Sequence, residues 1–390
     1  MQYRSIGKTG MSASIIGLGT EHLDNKPYEV ADEVVGAALE CGINIFDLFM
    51  PGTPVRENIG KALKGKRDKI LIQGHIGSVD LKQQYDITRD VPTCKKYFEE
   101  LLRCLDTDYI DFGMMFFVDT EKDFEEVFNT GYIDYVRQLK RQGTIRAVGA
   151  SSHDPDIAIR IVETGEIELL MFSVNLAFDM LPASVYVVDT MMSEKKIDRS
   201  IFRGIDPKRA RLYELCESRE ISITTMKTLG AGKLLSADQT PFAVPMTVAQ
   251  CVHYALSRPA VVSTLIGCRD RTEVLEAVSY FDLSDSERDY TGIAETLRET
   301  FQGKCVYCNH CLPCPAEIDI AAVTKYLEIA LLDEHNIPLG TLAHYNNLPH
   351  HASECTGCGS CESRCPFNVA VVQNMNRAAA VFPTALAGQF

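Results

Sequence analysis

Eight of the 14 cysteines stand in two short runs near the end of the 390-residue chain. The first run, from residue 305, reads CVYCNHCLPCP, and the second, from residue 355, reads CTGCGSCESRCP. Three thiolates spaced as Cys-x-x-Cys-x-x-Cys wrap one corner of an iron–sulfur cubane, and both runs also close on a Cys-Pro pair. The two runs therefore predict two [4Fe–4S] clusters.

The last cysteine of each run decides how the eight ligands are shared. In two-cluster ferredoxins the Cys that precedes the Pro ligates the other cluster. The second run has the bacterial spacing, whereas the first is one residue short before its last Cys, which leaves the pairing open. The crossed pairing gives one cluster Cys305, Cys308, Cys311 and Cys365, and the other Cys355, Cys358, Cys361 and Cys314.

Zinc and disulfides are the alternative uses of these cysteines. Eight thiolates could hold two zinc ions, but zinc pairs need neither a third Cys two residues on nor the closing Pro. Disulfides suit a secreted chain, yet residues 1–25 contain no apolar run of signal-peptide length. We therefore expect a reducing cytoplasm, in a cell that avoids oxygen. The other cysteines are scattered singly, as packing thiols are: Cys41, Cys94, Cys104, Cys216, Cys251 and Cys268.

Composition narrows the classes of partner. A formal net charge of -14 argues against a nucleic acid held by phosphate contacts. No stretch approaches the length and apolarity of a membrane span. Hydrophobic residues at 46% and charged residues at 24% are ordinary for a soluble globular protein. A small-molecule substrate is the expected partner, and a ferredoxin or another redox protein is a further candidate.

The rest of the chain alternates apolar strand-like runs with helical patterns. In EVADEVVGAALECG, for example, apolar residues recur at three- and four-residue steps. Nearly all-apolar strands between helices predict a parallel sheet covered on its outside, and eight such units match a (β/α)₈ TIM barrel. An open doubly wound sheet is the alternative, although no GxGxxG follows the first strand. The predicted strands are Ile15–Leu18, Ile43–Asp47, Ile70–Gly74, Tyr109–Met115, Ala147–Ser151, Leu169–Val174, Ser222–Thr225 and Ser263–Ile266.

The predicted domains are a barrel over residues 1–296 and a small, mainly helical, ferredoxin-like domain over 297–390. Residues 290–304 are expected to form the bridging helix. Helices are also expected over Tyr28–Cys41, Cys94–Leu105 and Phe124–Gln142. Residues 181–206 lengthen the loop after the sixth strand, and either a lid or a plain surface insertion would explain them.

Five segments within residues 1–280 form an ordered set. They are YRSIGKTGMSASIIGLGT at the start, GINIFD in strand two, TIRAVGASSHDPD around strand five, MKTLGAGKLL after strand seven and LIGCRDRTEVLEAV around strand eight. This set resembles the aldo/keto reductases. With the cysteine-rich tail, the chain resembles the branch of that family that carries an iron–sulfur domain at its carboxyl end. The resemblance implies an oxidoreductase.

The family's catalytic set is an Asp, a Tyr, a Lys and a His at the ends of strands two to four. Asp47 matches the Asp, the following loop has no Tyr, and His75 and Phe116 stand at the Lys and His positions. Ketone reduction by the family mechanism is therefore not expected. An imidazole can donate or accept a proton near neutral pH, so His75 is the candidate substitute acid, with Asp47 orienting it; packing is the alternative. His22 is a second candidate, and His153 is expected to bond structurally.

The resemblance also implies a nicotinamide dinucleotide lying across strands five to eight. Ser151 and Ser152 match a Ser-Asn pair that binds the carboxamide, and Asp270 matches a hydroxyl residue that meets the ribose 2′-phosphate. A carboxylate repels a 2′-phosphate but bonds a 2′-hydroxyl, so NAD(H) is expected rather than NADP(H). A vestigial site and a flavin in its place stay open. The carried-over positions are Ser151, Ser152, Asn175, Lys227, Leu229, Gly230, Gly232, Gly267, Arg269 and Asp270.

Two functions follow from these features. In the first, the barrel mouth reduces a small organic substrate with electrons passed through the two clusters. In the second, the chain is an electron-transfer module whose barrel is a scaffold for a redox partner. Asp47 and the glycines of the cofactor loop favour the enzyme. The substrate and the direction of reaction are not predicted, because barrel loops set them and the fold does not.

Overall fold

The structure is a computed structural model that describes residues 1–81, 84–294 and 301–382. Eight parallel strands close into a barrel in chain order, and the last pairs with the first. The predicted (β/α)₈ barrel is confirmed. The strands are β1 (Tyr3–Ser5), β2 (Ser12–Ser14), β3 (Ile16–Gly19), β4 (Ile45–Leu48), β5 (Leu71–Ile76), β6 (Ser78–Leu81), β7 (Gln84–Ile87), β8 (Ile110–Met115), β9 (Ile145–Ser152), β10 (Leu169–Ser173), β11 (Ser222–Met226) and β12 (Val261–Gly267).

The barrel itself consists of β3 to β5 and β8 to β12. All residues of β5 and β8 are buried, because the barrel interior covers one face and the outer helices cover the other. Each of the eight predicted strands overlaps an observed one. The continuous apolar runs therefore predicted the positions of the eight barrel strands.

An antiparallel hairpin of β1 and β2 covers the end of the barrel where the strands begin. Its Ile6 and Met11 pack with Ile45, Leu71 and Phe112 inside the barrel. The turn that joins β1 to β2 contains Lys8, Thr9 and Gly10, and Gly10 has a φ of 72°. This end of the barrel is thus filled by side chains, and the mouth lies at the carboxyl ends of the strands.

Helices on the outside return the chain from each strand to the next. In α1 the buried side chains include Ala31, Val34, Val35 and Ala38, which form one stripe at helical spacing. The barrel helices are α1 (Tyr28–Glu40), α2 (Thr53–Ala62), α3 (Val91–Cys104), α4 (Glu121–Phe128), α5 (Gly131–Arg141), α6 (Pro155–Glu163), α7 (Leu176–Asp179), α8 (Val187–Met192), α9 (Pro207–Ser218), α10 (Val248–Leu256), α11 (Arg271–Val278) and α12 (Asp285–Arg288).

The single helix expected over Phe124–Gln142 is two helices, α4 and α5. Thr130 has an extended backbone, and its side chain accepts a hydrogen bond from the backbone N–H of Tyr132. A Thr at this position starts a new helix, so the apolar periodicity continues across a break. The single-helix prediction was wrong for that reason.

The segment 181–206 contains α8 and is hydrogen-bonded to other parts of the barrel at two places. The phenol of Tyr186 donates to Asp119 Oδ2 at 2.5 Å. The ammonium of Lys233 donates to the carbonyls of Thr190 at 2.8 Å and of Ser193, next to the end of α8. The segment therefore connects the loop after β8 to the loop after β11. Its role as a lid stays a prediction.

The tail has helices of its own, and two of them pack on α9. The predicted domain boundary and residues 295–300 of the expected bridging helix lie outside the described residues, while residues 301–304 at its end are not helical. Within the described part of the chain, no helix combines the length and apolarity needed to cross a membrane. The remaining helices are α13 (Thr291–Ala294), α14 (Ile320–Ala330), α15 (Leu339–Asn346), α16 (Ser360–Arg364) and α17 (Val371–Val381).

Candidate functional site

Asp47 and His75 meet at the mouth of the barrel. Asp47 lies near the end of β4 and His75 near the end of β5, and these strands are neighbours. Asp47 Oδ1 and His75 Nε2 are 2.8 Å apart, and both residues are buried. A carboxylate accepts hydrogen bonds, so Nε2 carries the proton in this contact. The two candidate catalytic residues thus form one hydrogen-bonded dyad.

Gln73 extends this dyad across the barrel interior. Its Nε2 donates to Asp47 Oδ1 at 3.0 Å, and its Oε1 accepts from the hydroxyl of Thr224 at 2.7 Å. The amide cannot be reversed, because its oxygen would then face the carboxylate. Gln73 and His75 are two residues apart on β5 and therefore share a face. Sequence reasoning missed Gln73, although this spacing was a usable signal.

The second ring nitrogen of His75 has no hydrogen-bond partner among the described residues. Nδ1 is fully buried, and the ring lies edge-on to Phe116 at 5.1 Å and to Phe49 at 6.2 Å between centroids. Tyr85, on β7, contacts Phe49 and Phe116 edge-on and is 49% exposed. Leaving a buried nitrogen without a partner costs about 1–3 kcal/mol, so Nδ1 would gain from a hydrogen bond to a group that enters the mouth. Sequence reasoning also missed Tyr85.

A second Asp–His pair is formed by Asp119, in the loop after β8, and His153, directly after β9. Asp119 accepts from the His153 ring at 2.9 Å, the His153 backbone N–H at 2.7 Å, the Ser152 hydroxyl at 3.1 Å and Tyr186. Burial alone would raise the pKa of Asp119, but His153 and the donated hydrogen bonds lower it below its usual range. Phe117, beside His153, has a φ of 53°, which is unusual for a bulky residue.

The carried-over nucleotide residues lie at the carboxyl ends of β9 to β12 or on the loops that follow, and their side chains bond mainly to the protein. Ser151 accepts from the Phe117 N–H at 2.8 Å, and Asn175 donates to the Lys227 carbonyl at 2.9 Å. Lys227 reaches Glu21 at 3.4 Å. The loop that includes Leu229 turns tightly, with φ of 60° at Gly230 and 84° at Gly232.

The last two nucleotide candidates stand at the start of α11. Arg269 Nε donates to Glu273 at 2.7 Å, and Asp270 accepts from the Glu273 N–H at 3.0 Å as the N-cap. The ring of His22 lies over Gly267, since an added Cβ there would approach it to 3.0 Å. These side chains therefore bond to one another at the ends of β3 and β12.

The eight cysteines of the two runs line two separate cavities. We name the four that line the first cavity the inner cysteine set, and the four that line the second the outer cysteine set. The last cysteines of the two runs are exchanged between the sets. The inner set is Cys305, Cys308, Cys311 and Cys365; the outer set is Cys314, Cys355, Cys358 and Cys361.

The chemistry of the cysteine sets fits an iron–sulfur group better than zinc. Nowhere in residues 1–81, 84–294 and 301–382 do three or more His, Cys, Asp or Glu side chains converge as ligands of one metal ion. Four thiols spread around a cavity suit a cubane, which has volume of its own. The N–H of Tyr307 also points at Cys305 Sγ at 3.4 Å, a hydrogen bond of the kind that cluster sulfurs accept.

Glu217 joins the tail to the barrel near the start of β12. Its Oε1 is 3.0 Å from Nδ1 of His344 on α15, and its Oε2 accepts from the Ala260 N–H at 2.5 Å. Burial would raise the pKa of Glu217, but the charge of Lys325 and these hydrogen bonds lower it to about 2. The hydrogen bond to Glu217 raises the pKa of His344. The tail thus docks at the end of the barrel opposite the mouth.

Comparison with known families decides what kind of barrel this is. Residues 15–250, more than half of the chain, match the aldo/keto reductase family. The chain belongs to the aldo/keto reductase family. Residues 348–370 match a 4Fe-4S binding domain. The tail of this family member therefore carries a 4Fe-4S binding domain, and the predicted family is confirmed.

The similar proteins differ in how much of each chain they share. Aldo-keto reductase YhdN of Bacillus subtilis is 32% identical over 163 residues, 39% of this chain and 47% of YhdN. The uncharacterized oxidoreductase YqkF of B. subtilis is 28% identical over 190 residues, 47% of this chain and 58% of YqkF. The chain thus spans about half the length of these two relatives.

Two further comparisons span most of the barrel. The NADH-specific methylglyoxal reductase of Escherichia coli is 23% identical over 321 residues, which are 74% of this chain and 96% of that protein. The holo structure of aldo-keto reductase AKR11C1 from Bacillus halodurans has a TM-score of 0.57 at 21% identity. It covers 74% of this chain and 94% of that structure, and it shows the same barrel fold.

Proposed function

We propose that this aldo/keto reductase reduces a small organic substrate at the barrel mouth, with electrons delivered through two [4Fe–4S] clusters. The inner and outer cysteine sets would hold one cluster each. Such clusters exchange single electrons, so the barrel would not depend on hydride alone. The observation that carries the proposal is the buried Nδ1 of His75, held without a partner while Nε2 is bonded to Asp47.

His75 is the proposed acid, and Nδ1 is the atom that would meet the substrate. Asp47 and Gln73 fix the ring through Nε2 and Oδ1, so its other nitrogen keeps one direction. When the imidazole is protonated, Nδ1–H can donate its proton to a substrate oxygen that gains electrons. The rings of Phe49, Phe116 and Tyr85 exclude water from this nitrogen and would admit only a small, uncharged group.

The nucleotide is a separate part of the proposal. We infer NAD(H) rather than NADP(H), because Asp270 at the start of α11 would repel a 2′-phosphate. The glycine-rich turn after β11 permits the close backbone approach that a pyrophosphate needs. The relative from E. coli is named as NADH-specific, in keeping with this choice. A flavin at the mouth is the alternative that nucleotide titration would reveal.

An electron-transfer module is the second candidate, and the position of the tail favours it. Glu217 and His344 hold the tail where the strands begin, whereas His75 lies where they end. A docking body would need no chemistry at the mouth. A docking role would not use the buried Nδ1 of His75, whereas an enzyme would, and we therefore prefer the enzyme.

One assay separates the two candidates. Anaerobic protein is supplied with reduced methyl viologen and a panel of small aldehydes and ketones, and viologen oxidation is followed. The enzyme predicts substrate-dependent oxidation that falls in both His75→Ala and Cys358→Ser. A module predicts no dependence on carbonyl compounds and electron transfer to a protein acceptor that falls only in Cys358→Ser. Equal rates in His75→Ala and the unaltered chain would remove His75 from the mechanism.

A further inference from the structure

Arg258 is a fully buried cation between the barrel and the inner cysteine set. It lies just before β12 and is 2% exposed. Its guanidinium donates to the carbonyl of Val306, the residue between Cys305 and Tyr307. It also donates to the Ser257 hydroxyl at 3.0 Å. A barrel residue therefore holds the loop that carries two cysteines of the inner set.

This guanidinium lacks the anion that a buried charge requires. Among the described residues, no carboxylate oxygen lies within 4.0 Å of it. Its other neighbours are the rings of Tyr254 and Tyr307, at 4.5 and 5.0 Å from its central carbon, and the hydroxyl of Tyr290. Arginine stays protonated in proteins, and burying an uncompensated charge is strongly unfavourable. Neutral donors, carbonyls and rings offset only part of that penalty.

The acidic groups of this region are committed to other partners. Asp179 accepts from Arg209 at 3.2 Å, from Tyr213 at 2.5 Å and from Tyr254 at 2.6 Å. The carboxyl of Glu328 accepts from the phenol of Tyr307. Neither is an ion-pair partner of Arg258. Among the described residues, no carboxylate therefore pairs directly with Arg258, although the charge of Asp179 acts on it at longer range.

Val306, whose carbonyl accepts from Arg258, also lines the inner cavity. Cys305, Val306, Tyr307 and Cys308 all line it. A cubane held by four thiolates is anionic in both oxidation states, and its negative charge grows on reduction. We propose that Arg258 is the counter-cation of the iron–sulfur group in the inner cysteine set. This inference rests on the proposed function, since it requires a cluster there.

A counter-cation has a measurable consequence for that cluster alone. Positive charge stabilises the reduced, more negative form, so Arg258 raises the reduction potential of the inner cluster. The outer set has an exposed cysteine, Cys358, and a different arginine, Arg364, along its cavity. Because Arg258 makes no hydrogen bond, ion pair or cation–π contact with the described residues that line the outer cavity, the outer cluster is an internal control in the same molecule.

The test is an anaerobic redox titration of the full chain, followed by electron paramagnetic resonance. Arg258→Gln keeps a donor for the Val306 carbonyl but removes the charge. One of the two potentials should become more negative, while the other should not move. Arg258→Lys, which keeps the charge, should stay closer to the unaltered chain. Tyr290→Phe removes a neutral donor to Val306, at 2.7 Å, and should shift the potential less than Arg258→Gln.

Each other result has a definite meaning. Unchanged potentials in a folded, iron-replete Arg258→Gln overturn the counter-ion role while leaving the proposed function standing. An unaltered chain that holds no iron overturns the proposed function instead. Loss of about half of the iron in Arg258→Gln, with full loading in Arg258→Lys, supports the requirement for charge. Equal loss in both variants shows a steric role and rejects the proposal.

Discussion

Replacing Glu217 by Gln should loosen the tail from the barrel. Glu217 lies on α9 of the barrel, and its partner His344 lies on α15 of the tail. The substitution removes the negative charge that attracts His344 and Lys325. It keeps the size of the side chain and an oxygen for the Ala260 N–H. The expected effect is thus electrostatic, with little change in packing.

The magnitude follows from the pKa of Glu217, which is lowered from 4.5 to about 2. A difference of about 2.5 units corresponds to about 3 kcal/mol of stability. This contribution is complete above pH 4.5 and is lost as the pH falls toward about 2. The raised pKa of His344 gives stability the opposite dependence on pH. Its contribution to stability is complete below pH 6.5 and is lost as the pH rises above the folded pKa of His344. The difference between Glu217→Gln and the unaltered chain should peak between these limits.

Hydrogen–deuterium exchange of residues 339–346 measures this directly, because it reports local opening of α15. At a pH between 4.5 and 6.5, Glu217→Gln should exchange about a hundredfold faster there. Asp156→Asn is the matched control, since Asp156 pairs with Lys208 on the same helix α9 but in solvent. Equal exchange in Glu217→Gln and the unaltered chain, or a difference that grows above pH 6.5, would refute the account.

Three further predictions concern the mouth and the nucleotide. His75→Ala should lower turnover by roughly 10²-fold with unchanged iron content, and full turnover would make His75 a packing residue. Gln73→Leu leaves Thr224 without its acceptor and should destabilise the fold by about 1–3 kcal/mol. Nitrogen-15 NMR should then show less of the Nε2–H form of His75, and an unchanged tautomer would contradict the positioning by Gln73. Fluorescence titration should show tighter binding of NADH than of NADPH, whereas tighter NADPH would mean that Asp270 does not face the 2′-position.

The barrel strands could be predicted because most of them are continuous, largely apolar runs in the sequence. The run Leu169–Val174 differs from β10 by one residue, since a strand buried on both faces is apolar throughout. The break between α4 and α5 could not be predicted in the same way. Apolar spacing continued through it, and only the capping by Thr130 divides the two helices. Periodicity therefore located the helical stretch but not its division.

The candidate site was predictable only where the sequence places residues close together. Asp47 and His75 end neighbouring strands of a parallel sheet, so their proximity followed from strand order. The bond between Gln73 and Thr224 crosses the barrel and joins residues 151 positions apart. No local pattern indicates such a partner. The proposed role of Arg258 could not be predicted from the sequence either, because it depends on how the tail packs against the barrel.

Analysis of iron and acid-labile sulfide in anaerobically purified protein tests the central claim most directly. Two cubane clusters require about eight irons and about eight sulfides per chain, with visible absorption that bleaches on reduction. About two zinc ions per chain, with no sulfide and no visible absorption, would contradict the account. The electron supply to the mouth and the counter-ion role of Arg258 would both fall with that result.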